Sequence, residues 1–123
     1  MRWPFGLLTL LVVGCREAPV EVCEYWLLPA VTVEVTDDVT GNRLTSNVAG
    51  SVRDGVYIDS LRFGGCNGTT PGTLCAALER VGTYDVEVTS AGYQMWSTRG
   101  VVVTMGSCHV NTVALKAKLI RAL

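Results

Sequence analysis

Polar and apolar residues alternate along much of this chain with a period of two, the spacing of a strand with one face on a core and the other in water. The cleanest run is Gly82 to Tyr93: Tyr84, Val86 and Val88 fall on one face, and Thr83, Asp85, Glu87 and Thr89 on the other. Ala30 to Thr36 repeats the pattern, with Val31, Val33 and Val35 inward. Val48, Gly50 and Val52 alternate with Ala49, Ser51 and Arg53. An Asp54-Gly55 turn then leads to a third strand, Val56 to Leu61, and Asp-Gly between two such runs is a hairpin signal. Leu74 to Leu78 reads equally as a short strand or a helical turn. Tyr93–Ser97 and Val101–Thr104 form a strand broken around Gly100, and a last strand runs from His109 to Leu119 with Asn111, Val113, Leu115, Ala117 and Leu119 on one face. Turn chemistry separates the runs, as at Asp37-Asp38-Val39-Thr40-Gly41-Asn42, where Asx residues precede a glycine able to take positive φ. That turn lacks the spaced oxygen ligands of a calcium loop and reads as solvated. Short, regularly spaced strands and two faces to fill predict an all-β fold, a β-sandwich with Greek-key connections.

At 123 residues, 49% hydrophobic and 17% charged, the chain has the size and composition of one globular domain. A net charge of -1 with no basic stripe excludes an electrostatic footprint for nucleic acid, and the 10 basic residues are too scattered for a polybasic membrane patch.

The front of the chain departs from the strand pattern. Met1-Arg2 is a minimal positive start, Phe5 to Val13 is apolar apart from Gly6 and Thr9, and small Gly14 precedes Cys15. The apolar run is shorter than the roughly 20 residues a membrane-spanning helix needs, so residues 1–14 read as a signal peptide. Val12-Val13-Gly14-Cys15 resembles a bacterial lipobox. The resemblance implies lipidation of Cys15, cleavage before it, and export as a membrane-anchored lipoprotein. Arg16 stands where an inner-membrane retention signal has Asp, which points to the outer membrane of a diderm cell, facing periplasm or surface. Residues 15–29 then form a tether and 30–123 the domain. Trp26, Leu27 and Leu28 are out of character for a pure linker, because such side chains pack on something.

Setting Cys15 aside leaves Cys23, Cys66, Cys75 and Cys108, an even number suited to two disulfides in an exported chain. Three pairings are open. Cys66 and Cys75 bracket a Gly/Thr/Pro loop, so their local pairing is the simplest closure. Chain entropy assigns it roughly 2.7 kcal/mol, against about 4.6 for a Cys23 to Cys108 staple. Zinc is a poor competitor, with no C-x-x-C spacing and His109 as the single histidine.

Taken in order, Val31-Thr32-Val33-Glu34-Val35 with Gly41, Ser51-Val52-Arg53-Asp54-Gly55, Gly82 to Val88, Ala91-Gly92-Tyr93 and Cys108 to Leu115 resemble carboxypeptidase regulatory-like domains of the transthyretin-like (prealbumin-like) fold, particularly those of small bacterial lipoproteins. The resemblance covers about Ala30 to Leu119. It implies a seven-stranded sandwich and no enzyme, since such domains serve as accessory, adhesive or carbohydrate-facing modules. Hydroxyisourate hydrolases of the same group carry several histidines and a C-terminal Tyr-Arg-Gly-Ser motif; this chain has one histidine and ends Leu119-Ile120-Arg121-Ala122-Leu123. Peptidase activity in carboxypeptidases belongs to a separate domain.

Candidate chemistry is sparse. Cys108 and His109 could be drawn as a nucleophile and base, but neighbours on a strand point to opposite faces. Asn67-Gly68-Thr69 matches a glycosylation sequon, which in a bacterial lipoprotein is a coincidence. Tyr93 and Trp96, with Tyr57, are the candidate binding residues, because exposed aromatics stack on sugars or anchor a protein partner. At period two Trp96 shares a face with Gln94, which would leave it outside the core. The expectation is a non-enzymatic, cofactor-free, lipid-anchored envelope module that binds a protein partner or stabilises an envelope assembly, with a carbohydrate-binding module using surface aromatics as the alternative and a small hydrolase as the third reading.

Overall fold

The structure, a computed structural model, describes residues 11–15 and 22–123. The described residues form eight strands, β1 (Pro29–Asp37), β2 (Val48–Asp54), β3 (Tyr57–Ser60), β4 (Arg62–Phe63), β5 (Leu74–Leu78), β6 (Gly82–Ser90), β7 (Trp96–Val103) and β8 (Val113–Leu119). They form two four-stranded sheets, ordered β4-β5-β1-β8 and β3-β2-β6-β7. Every strand pair is antiparallel except β1 with β8, whose register runs from Val31 opposite Val113 to Asp37 opposite Leu119.

The alternation read from the sequence decides which faces meet. Val31, Val33 and Val35 of β1, Leu74 and Ala76 of β5, and Ala117 and Leu119 of β8 are buried from one sheet. Val52 of β2, Tyr84, Val86 and Val88 of β6, and Val101 and Val103 of β7 are buried from the other. The aliphatic rows interdigitate around Tyr84, whose ring is fully buried and whose hydroxyl donates to the Arg80 carbonyl at 2.6 Å. A buried phenol without such a partner would cost about 1 to 3 kcal/mol.

Asp54 pairs with Tyr57 across a two-residue loop, and Gly55 in its first position has φ 59°, where a type II′ loop takes glycine. Gly50 allows a close approach: a Cβ there would lie 2.4 Å from the Glu87 carbonyl and 2.8 Å from Leu61 Cδ1.

Several boundaries move. Leu74–Leu78 is a strand, with both faces of its middle buried, because the loop closed by Cys66–Cys75 lies against its outer side. The two-residue β4 was not anticipated. β7 is continuous through Gly100, where φ 68° and a register shift opposite Tyr84/Val86 mark a bulge rather than a break. Its start moves to Trp96, because Tyr93 bridges Arg121 instead of extending the strand. β8 starts at Val113, not His109: the Gly106 amide donates to the His109 carbonyl and the Asn111 amide to Thr104, closing a compact loop. Gly82 is a strand residue rather than a turn. A Cβ there would sit 2.5 Å from Asp54 Oδ2, so glycine makes room for the Asp54–Arg80 ion pair.

Candidate functional site

Two features of the sequence, the tether and the cysteine loop, converge at one end of the β4-β5-β1-β8 sheet. Cys23 is bonded to Cys108, joining the tether to the loop before β8 across 85 residues of sequence. Next to it, Glu79 gathers three strands of chain. Its Oε1 accepts the Leu28 amide at 2.8 Å and lies 2.5 Å from His109 Nδ1, while Oε2 accepts the Val110 amide at 3.1 Å. The Glu79 amide in turn donates to the Leu28 carbonyl. Burial pushes the Glu79 carboxyl up, but the Leu28 amide, His109 and the Val110 amide outweigh it and hold the carboxyl below its ordinary range. Glu79 is therefore a clamp that fixes where the tether enters the domain.

Beyond the clamp lies a groove of about 490 Å³ on the outer face of the sheet. Thr32 and Glu34 of β1 and Ala114 and Lys116 of β8 form its floor, Leu28, Pro29 and Thr112 its tether end, and Asn67, Thr69, Thr70 and Thr73 of the disulfide-closed loop its wall. The wall is held by two hydrogen bonds: the Thr69 hydroxyl donates to the Cys66 carbonyl at 2.7 Å within the loop, and Arg43 Nη2 donates to the Thr73 hydroxyl at 3.0 Å from outside it. Glu34 and Lys116 stand side by side in the parallel register, yet neither makes an ion pair among the described residues. The groove therefore offers hydroxyls, an amide and one charge of each sign, with no aromatic ring among its lining. Such a lining suits a polar, hydrogen-bonding ligand. A smaller hollow of about 380 Å³ on the outer face of the other sheet is lined by Arg53, Asp85, Glu87 and Arg99 among others, charges that largely compensate one another.

The aromatic candidates do not share a surface. Tyr57 packs edge-on against Tyr84, ring centroids 6.4 Å apart, with the Arg80 guanidinium 3.8 Å above its own ring. Trp96 is half-buried against the core, opposite Val88, so it does not lie on a polar face as period two suggested. The period fails because Gly92 (φ 84°) and the turn after it shift the phase between Tyr93 and Trp96. By strand register Tyr57 is level with the Tyr84 end of β6 and Trp96 with Val88, about 13 Å along the strand. Tyr93 is also half-buried, its hydroxyl donating to Asp37 Oδ2 at 2.7 Å.

Asp37 is not solvated but 2% exposed. Its Oδ2 also accepts Arg121 Nε at 2.8 Å, and its Oδ1 accepts the amides of Val39 and Thr40. The Tyr93 hydroxyl, then the Thr40 amide and Arg121, hold its carboxyl well below the usual range. Cys108 has no thiol to offer as a nucleophile, and His109 Nε2 is buried without a hydrogen-bond partner. Cys15 is the one free cysteine, and it is exposed.

The groove was missed because its walls come from distant parts of the sequence. The available hint was the density of threonine between Cys66 and Cys75, together with Thr32 and Glu34 on the outer row of β1. Glu79 carried no hint, since nothing in Leu78-Glu79-Arg80 indicates a carboxylate that bonds three remote groups. In comparisons with known proteins, the chain matches no protein-family model and no curated protein.

Proposed function

We propose that this chain is an exported, lipid-anchored β-sandwich module that works without catalysis, binding a protein partner of the cell envelope through the threonine-lined groove. The observation that carries the reading is the use of cysteine. Four of the five are consumed in two disulfides, which belong to oxidising compartments, and the fifth is Cys15, free and exposed at the end of Val12-Val13-Gly14. A kinship with the seven-stranded, Greek-key carboxypeptidase regulatory-like domains is part of the proposal. It is supported by the order of the main strands: with two-residue β4 set aside, three strands face four. A protein partner is preferred to a glycan because the groove lacks a ring on which a sugar could stack and Trp96 packs against the core.

The test is capture from solubilised native envelopes using the wild-type chain and Lys116→Glu. Lys116 is exposed, so the substitution alters the groove floor without touching the core. One envelope protein enriched by the wild type and lost with Lys116→Glu is the expected result. Capture indifferent to Lys116, or binding to purified glycans abolished by Trp96→Ala, would contradict the proposal.

A further inference from the structure

We infer that Tyr25, Trp26 and Leu27 are a membrane-contact segment that seats in the headgroup region of the bilayer to which Cys15 is anchored, and so sets the orientation of the domain. The inference rests on the proposed lipid anchoring. Downstream of Cys15 these are the only three consecutive large hydrophobic residues left exposed among the described residues, at 104%, 47% and 52%. Other exposed apolar side chains, such as Val39, Phe63 and Met105, stand singly on different elements, as is ordinary for a soluble surface.

The exposure is built in. The segment is held at one end by the Cys23–Cys108 disulfide and at the other by the two Leu28–Glu79 hydrogen bonds, so its side chains are presented by the fold rather than carried on a free tail. Its composition suits one occupant best. Tyrosine and tryptophan combine an apolar body with a polar tip and concentrate where hydrocarbon meets water, and leucine adds apolar area. Geometry places that occupant within reach: Cys15 and Cys23 are eight residues apart, so the disulfide end of the segment lies at most about 26 to 29 Å from the anchored cysteine. Tethering at that length gives even a weak surface affinity a high effective concentration. The adjacent charge is Glu24, so attraction to anionic lipid does not drive the contact, and it should persist at high salt. Because Leu28 lines the groove, the tether end of the groove would be its membrane-proximal end.

The chain beginning at Cys15 keeps all eight strands and both disulfides, and its free thiol can be coupled to a maleimide lipid in phosphatidylcholine vesicles. This supplies an anchor whether or not the native host lipidates Cys15, so failure of the contact is distinguishable from failure of the anchoring proposal. In Trp96→Phe the remaining tryptophan is Trp26. If that variant does not fold, the difference between wild type and Trp26→Phe isolates the same signal. The expected result is quenching of Trp26 by lipids brominated near the headgroup, roughly two-fold or more, with shielding from aqueous iodide at both low and high salt. Full iodide access and no quenching by brominated lipid would overturn the inference. Iodide shielding that rises with protein density on the vesicle, without quenching by brominated lipid, would overturn it in favour of contact between copies.

Discussion

Asp37 shows how one residue joins three parts of the chain. It ends β1, closes its own turn through Val39 and Thr40, and receives Tyr93 and Arg121 from the β6–β7 turn and the C-terminal segment. These groups favour its ionised form, so its folded-state pKa lies below the unfolded value near 3.9. The stability it contributes is therefore fully present above about pH 4 and is lost as pH falls further. Acid unfolding followed by circular dichroism should show this loss. Asp37→Asn should be less stable at neutral pH, with a shallower decline below about pH 4; an unchanged acid limb would contradict the assignment. At Gly50 the constraint is steric. Gly50→Ala should destabilise by about 1 to 3 kcal/mol in urea unfolding, since the added methyl meets the Glu87 carbonyl and Leu61. The sequence showed both residues, but Asp37 read as turn and Gly50 as strand interior, because their partners lie far away in sequence.

At the scale of elements, β6 was legible because it puts one face in the core and the other in water, and β1 because its polar residues alternate with valines even though Thr32 on the outer row is buried. β5 was not, since the disulfide-closed loop buries its second face and erases the alternation that would mark it as a strand. The start of β8 was misplaced because the Gly106 and Asn111 amides bond within a loop and the Val110 amide goes to Glu79, an arrangement that period two cannot report. The two disulfides should differ in weight. Cys23–Cys108 closes the longer loop, so Cys23→Ser with Cys108→Ser should lower the thermal midpoint more than Cys66→Ser with Cys75→Ser, by the entropy difference of about 2 kcal/mol. A larger loss from the shorter loop would mean that the wall it forms over β5 outweighs chain entropy.

For the molecule as a whole, the pieces share a direction. The clamp, the disulfide at Cys108 and the tether end of the groove lie together, so the chain from Cys15 joins the domain beside the groove. The sandwich was readable in the sequence because alternation is local; the groove was not, because residues 67–73 meet Thr32 and Lys116 only after both sheets have formed. Lipid anchoring is the claim on which the rest depends, and the most direct measurement is mass spectrometry of the mature amino terminus purified from native cells. The account predicts a chain that begins at Cys15 and carries the mass of a thioether-linked lipid. An unmodified chain that still begins at Met1 would contradict it.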